Sequence, residues 1–249
     1  MKIVTIKPDH HVLHKYQKLK KYHNDFIILE SEKVITYALK IGIKLIEIVT
    51  NNDFLDKYPN LESEVIYVLD KKELKGFIGY NSHSGTFALA KKPEPSNSYH
   101  NRTLILDKLT SPENVGSICR SAKAFGFNTI IYNTKGISPH LRRCIRVSTG
   151  HILGLNIVPC TNLIELTKQM KKDNFEIVSA HNSESSIDIN NYIPKYDKIA
   201  IIVGSEGHGI SNELIQESDI EIKISTHKSV EHLNVANASS IIMSQLKII

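Results

Sequence analysis

Cysteine is scarce in this 249-residue chain, and its placement excludes a good deal. Cys119, Cys144 and Cys160 are scattered, show no metal-ligand spacing, and leave one thiol unpaired in any disulfide scheme. No other set of His, Cys, Asp and Glu has ligand spacing, so no metal is expected. Long apolar runs are missing too: none approaches the roughly 20 residues of a membrane span. The opening Met-Lys-Ile-Val-Thr-Ile-Lys-Pro-Asp-His-His lacks the apolar core of a secretory signal. A reduced, cytoplasmic protein is expected. Neither the Gly-Lys-Ser/Thr of a phosphate loop nor a Gly-x-Gly-x-x-Gly dinucleotide fingerprint occurs, which places nucleotide-dependent kinases and oxidoreductases far down the order.

What is present is an ordinary globular composition, 41% hydrophobic and 23% charged, long enough for one large domain or two ordinary ones. The net charge of +5 favours a polyanionic partner only mildly, so the distribution of cations matters more than their total. They crowd the first helical stretch, as His10, His11, His14, Lys15, Lys18, Lys20, Lys21 and His23, with Val12, Leu13, Tyr16 and Leu19 as its apolar contacts. Such a face is either simply solvated or tracks phosphates, each cation releasing a counterion. Lys15, Lys18 and Lys20 are the candidates for the second role.

Strand-length and helical patterns alternate up to residue 90: strands near 26–29, 44–50, 65–69 and 86–90, helices at 31–39 and 71–74. That alternation predicts a compact α/β sandwich. Lys-Lys-Pro-Glu-Pro-Ser-Asn-Ser then breaks every period and reads as a linker. The expected division is a domain at 1–92, a linker at 93–100 and a domain at 101–249. In the second domain, apolar runs at 103–106, 129–132, 154–158, 176–180, 199–203 and 220–224 alternate with helices. Near-continuous hydrophobic strands of this kind imply a parallel sheet covered on both faces. Ligands in such sheets bind beyond the carboxyl ends of the strands, at a switch in strand order.

Three segments lie where that rule looks. In the first, Thr103 to Leu106 lead into a helix with Ser111 placed to cap it, Pro112 and Glu113 in its first turn, and Gly126 to stop it. Val115, Ile118, Ala122 and Phe125 form its apolar stripe. Gly116 and Arg120, four apart, share another face, where the missing side chain leaves room for a ligand beneath the guanidinium. The second segment is Val203-Gly-Ser-Glu-Gly-His-Gly. Three glycines in six residues permit close backbone approach, and Glu206 makes the loop better suited to a cationic, adenosine-bearing ligand than to a bare polyphosphate. The third, Ile222-Lys-Ile-Ser-Thr-His-Lys-Ser-Val-Glu-His-Leu-Asn-Val, ends a strand and opens the final helix. Between them, Arg142, Arg143 and Arg146 sit on a helix within 139–150, as a charged outer face or as the phosphate-facing side of a site.

Asn114-x-Gly116-x-x-x-Arg120, Val203 to Gly209, and Leu233-Asn234-Val235, in that order, resemble the three motifs of the SpoU (TrmH-like) RNA ribose 2′-O-methyltransferases of the knotted SPOUT class. The resemblance implies two α/β domains, the C-terminal one a parallel-sheet SPOUT domain closed by a trefoil knot. The N-terminal part is similar to an L30e-like RNA-binding domain, in its Lys-rich opening, Phe-Ile-x-x-Glu at 26–30 and the Gly-Thr-Phe-Ala that begins at Gly85. By resemblance, S-adenosylmethionine is the methyl donor, held by main-chain groups around Val203, Gly204, Gly209, Ile224 and Leu233. Arg120 becomes the main catalytic residue, with Asn114, Glu206 and Asn234 orienting substrate and loops. Structured RNA is the partner, ribosomal RNA before tRNA, and the protein pairs with itself through the C-terminal domain. The third motif departs from the family: Ser225 and Thr226 replace Pro-Met, Lys228 falls near a glycine, and His232 takes the place of a serine. His208 and His232 could carry protons or be structural. A non-catalytic RNA-binding or ribosome-assembly factor on the same fold is the alternative.

Overall fold

The computed structural model describes residues 2–17, 25–77, 85–230 and 232–247. Contacts divide the chain into two compact units, Met1–Pro93 and Glu94–Ile249. No helix among the described residues is long and apolar enough to cross a membrane.

The first unit runs β1 (Lys2–Thr5), α1 (Val12–Gln17), β2 (Phe26–Glu30), α2 (Glu32–Lys40), β3 (Leu45–Thr50), α3 (Asn52–Lys57), β4 (Ser63–Val68), α4 (Lys71–Phe77) and β5 (Phe87–Lys91). Its sheet has the order β1-β4-β3-β5-β2. β1, β4 and β3 pair parallel, whereas β5 and β2 join antiparallel. Strand β1 escapes the sequence patterns because it is an edge strand with little burial. Helix α1 is pinned from both sides: Leu13 and Tyr16 are buried in the core with Phe87 and Leu74, and the Tyr16 hydroxyl donates to Glu47 Oε1 at 2.6 Å.

The second unit continues with β6 (Arg102–Asp107), α5 (Pro112–Ala124), β7 (Thr129–Asn133), α6 (Arg142–Val147), β8 (Asn156–Cys160), α7 (Leu163–Lys172), β9 (Phe175–Ala180), β10 (Ile187–Asp188), β11 (Lys198–Gly204), α8 (Asn212–Glu217), β12 (Ile220–Lys223) and α9 (Val235–Gln245). Seven strands form one sheet in the order β10-β12-β9-β11-β6-β7-β8, every pair parallel. Ile105, Ile131, Ile177, Ala200 and Ile202 turn one way, onto Leu163, Met170, Leu214 and Phe175. Their neighbours Leu104, Ile130 and Ile201, pointing the other way, are fully buried as well. Both faces are therefore covered, as the unbroken apolar strands require. From β6 the order proceeds to β7 and β8 on one side and to β11 on the other, so the switch point lies between β6 and β11. At that point Asp107 and Gly204 are paired as the last residues of adjacent strands.

Several details depart from the sequence reading. The run at 154–158 is displaced: His151–Gly154 form a 3-10 turn and β8 begins at Asn156. The helix expected within 139–150 is reduced to α6, ended by left-handed backbone at Thr149 (φ 52°) and Gly150 (φ 86°). On α5, Val115, Ile118 and Ala122 are buried with Cys119, but Phe125 is only half-buried and Phe127, beyond the stop, takes the core position. Gly116 does not face a ligand. A Cβ there would lie 2.7 Å from Val147 Cβ and 2.8 Å from the Cys144 carbonyl, so this glycine lets α5 and α6 pack closely.

Candidate active site

Two cavities open at the switch point, on either side of the loop that follows β11. The first, about 420 Å³, is bounded by the ends of β9, β11 and β12 and by the start of α9. Val203, Gly204, Gly209, Ile224 and Leu233 all line it. Ile222 and Ile242 add an apolar wall, while main-chain groups of the loop supply polar edges. The loop closes on itself: Ser205 N–H donates to the Gly209 carbonyl at 3.1 Å, and Gly209 N–H to the Ser205 carbonyl at 2.8 Å. This explains two of the glycines. A Cβ on Gly204 would fall 2.0 Å from the Gly209 carbonyl carbon, and Gly209 itself has φ 66°. Gly207 and Gly209 both face open space, so Gly209 is required by its left-handed backbone and Gly207 by neither crowding nor φ.

The three sequence segments meet on one side chain. Asn114 Nδ2 donates to Glu206 Oε1 at 2.6 Å, and Asn234 Nδ2 donates to the same oxygen at 2.7 Å. Asn234 Nδ2 also lies 3.1 Å from Asn114 Oδ1. Each member is placed by its element. The Ser111 side chain caps α5 at Asn114 N–H, and the Asn234 Oδ1 caps α9 by accepting from Ala236 N–H at 2.9 Å. Amide-to-carboxylate bonds of this length are charge-assisted and directional, so the triangle fixes the tip of the loop against two helix starts.

The second cavity, about 720 Å³, is lined by residues 107–111, Asn114, Lys135, the loop and the start of α8. Ser205 to Ile210 line both cavities, so the loop is the partition between them. Asp107, missed in the sequence, organises this side. It is buried, and its Oδ2 accepts from Ser211 N–H at 2.9 Å, tying the loop's exit to the end of β6. No local pattern carried a signal for it, since its role depends on β6 and β11 lying side by side. His181 at the first cavity was missed as well. Its Nδ1 lies 2.7 Å from Glu221 Oε2, and that contact, reinforced by Ser183, holds the Glu221 carboxyl below its usual range. Beyond β12, hydrogen bonds from Ser225 and Asn190 keep the Asp188 carboxyl low and fasten the start of the third segment.

Other candidates are not gathered in. Arg120 is exposed, further along α5, and lines neither cavity. Arg143 forms an ion pair with Glu113, its Nε 2.8 Å and Nη2 2.6 Å from Glu113 Oε1, which ties α6 to the first turn of α5. Arg142 and Arg146 are half-buried and have partners of their own. Lys123 Nζ is bonded to the Gly154 carbonyl and to Asn128. Lys18 and Lys20 lie outside the described residues, and of Lys15 only the backbone, within α1, is described. His208 lines both cavities and His232 the first, both exposed. Among the described residues no cluster of His, Cys, Asp and Glu could hold a metal ion.

The profile of the SpoU rRNA methylase family matches residues 101–244. A TrmH-family tRNA/rRNA methyltransferase of Staphylococcus epidermidis is 27% identical over 232 residues, covering 88% of this chain and 90% of that protein. An uncharacterized tRNA/rRNA methyltransferase of Mycobacterium bovis is 28% identical over 174 residues, 66% of this chain; the match spans only 59% of that relative's length. Among solved structures, an AdoMet-bound rRNA methyltransferase from Sinorhizobium meliloti superposes with a TM-score of 0.83 at 18% identity, over 98% of this chain and 97% of its own. An RNA 2′-O ribose methyltransferase superposes at 0.78 with 20% identity, over 98% and 97%. At such identities these two establish the fold.

Proposed function

The chain belongs to the SpoU rRNA methylase family, and from that premise we propose that it transfers the methyl group of S-adenosylmethionine to a ribose 2′-hydroxyl of structured RNA, ribosomal RNA before tRNA. The observation that carries this reading is the Asn114–Glu206–Asn234 triangle, which brings three distant segments to the partition between two cavities.

The first cavity suits the donor. Its glycines let a ligand approach the backbone with no side chain between, Ile222, Ile224 and Leu233 offer an apolar wall for an adenine, and Glu206 adds the single formal charge of the loop, of the sign a sulfonium favours. The donor supplies an electrophilic methyl whose departure leaves a neutral thioether. The chain's own task is to hold the sugar hydroxyl in line and to favour its alkoxide character, chiefly by positioning and by preorganised dipoles. Asn114 and Asn234 orient the Glu206 carboxylate and, through it, the loop. Arg120 holds the acceptor's phosphate and stabilises the developing oxyanion. A guanidinium stays protonated far above neutral pH, so the 2′-hydroxyl proton passes to a phosphate oxygen or to water rather than to Arg120. Its place outside both cavities agrees with a contact made to bound RNA rather than to the donor. The first unit, with Lys15, Lys18 and Lys20, binds the RNA, and the chain pairs with itself through its second unit.

The test is methyl incorporation from S-adenosylmethionine into RNA of a strain lacking the gene, followed by mapping of 2′-O-methyl positions with and without the gene restored. One restored ribose methyl in ribosomal RNA is the expected outcome. A chain that binds RNA and restores no methyl group is instead the non-catalytic factor, the reading that His232 in place of the serine favours.

A further inference from the structure

The second cavity carries an inference that rests on the reading above and extends it to the acceptor strand. We propose that Lys108 and Lys135 together hold one backbone phosphate of the RNA in this cavity, and so set which ribose faces the Asn114–Glu206–Asn234 triangle. The two lysines come from different loops, Lys108 directly after β6 and Lys135 after β7. Gly136 brings those loops together. A Cβ there would lie 2.8 Å from the Leu109 carbonyl oxygen and 3.1 Å from Lys108 Cα, and Ile137 N–H donates to that same carbonyl at 2.9 Å. Lys108 leaves its strand with left-handed backbone, φ 54°. Both lysines are exposed, both line the cavity, and among the described residues neither has a carboxylate partner.

The acids nearby are mostly engaged. Asp107 accepts from Ser211 and Asn133, and Glu206 from the two amides, which leaves Glu213 on the rim. Two exposed lysines lining one cavity suit a phosphate as paired point charges. An ammonium meets a phosphate as a point charge and carries no base-edge pattern, so the contact of these two lysines is to backbone and not to base identity. Because Asn114 and Glu206 form another wall of the same cavity, a phosphate fixed here places its neighbouring sugar beside the triangle.

The experiment uses the full chain and a short fluorescein-labelled single-stranded RNA of mixed sequence, with affinity measured across a potassium chloride series. Each lost phosphate contact reduces the slope of log K against log salt by about 0.7 on a single strand, so Lys108→Asn with Lys135→Gln, which removes the one shared contact, should reduce it by about 0.7. Lys108→Arg with Lys135→Arg should restore the slope. Lys168→Asn with Lys172→Gln removes the same charge from exposed positions on α7 and should leave it unchanged. In methyl transfer, the Asn/Gln pair should raise KM for RNA with kcat largely retained, and calorimetry should show donor binding as in the wild type. An unchanged slope, an equal fall in the α7 pair, or loss of donor binding in the cavity pair would overturn the proposal. If the slope falls as expected but the wild type transfers no methyl group, the phosphate site stands and the function proposed above fails.

Discussion

Asn234 serves two purposes with one amide. Its oxygen caps α9, and its nitrogen donates to the same Glu206 oxygen as Asn114. Asn234→Ala should therefore lose about 1 kcal/mol of stability from the cap, read as a fall of about 2–4 °C in melting temperature, and lose methyl transfer far beyond what that destabilisation explains. Asn234→Asp retains the cap but places a second carboxylate beside Glu206, so stability should recover further than activity. Arg120 offers the contrast. It is exposed and makes no hydrogen bond or ion pair among the described residues, so Arg120→Ala should leave melting temperature and donor binding near wild type while reducing turnover at least about 100-fold. Wild-type turnover in that variant would remove Arg120 from the chemistry. Glu221 makes the pH prediction. Its folded-state pKa is depressed, first by His181, so the stabilisation is complete above the ordinary carboxylate range and lost as pH falls through the folded value. Below about pH 5 the wild type should lose stability more steeply than Glu221→Gln. The difference should be under about 1 kcal/mol, because both partners are partly exposed.

At the scale of elements, α5 is the piece whose packing decides most. Gly116 touches Val147 and the Cys144 carbonyl, and Cys119 and Cys144 are buried on α5 and α6. Gly116→Ala would gain about 1 kcal/mol in helix propensity, yet it forces a methyl into a tight backbone contact, an overpacking that costs about 1–3 kcal/mol. A net loss of stability is expected, read by denaturant unfolding. The same interface silences two thiols. Burial pushes Cys144 up to about 12 and Cys119 well above its usual range, whereas Cys160 is only half-buried. A thiol reagent near pH 8 should label Cys160 first and reach Cys119 and Cys144 only on unfolding. Much of α5 was legible in the sequence, because Ser111, Pro112 and Gly126 act through local backbone rules. The meaning of Gly116 was not, since a glycine on a helix face looks the same whether a ligand or Val147 approaches it. Phe125 and Phe127 fail for a related reason: periodicity fixes a face, but the turn at Gly126 redirects the chain and swaps which ring is inside.

At the scale of the whole molecule, the two units differ in how openly their sequences declare them. The second unit's central strands β6, β7, β9 and β11 are largely buried on both faces and announce a covered parallel sheet, while the strand order that creates the switch point rests on long-range pairing that no local pattern contains. The site inherits that division. Glycines, an acidic loop and cap residues were visible in the chain, whereas Asp107, Lys108 and Lys135 acquire meaning only when β6, β7 and β11 lie side by side. In the first unit, the edge strand β1 and the Tyr16–Glu47 bond were invisible for the same reason. The central claim is that the self-closed loop after β11 makes a donor site, and Gly204 is its most exposed point of failure. Isothermal titration of S-adenosylmethionine into the full chain, wild type and Gly204→Ala, tests it most directly. The wild type should bind with one site per chain, and the variant, whose Cβ cannot coexist with the Gly209 carbonyl, should bind at least about 100-fold more weakly or not at all. A wild type that shows no binding, or a folded variant that binds equally well, would contradict the account.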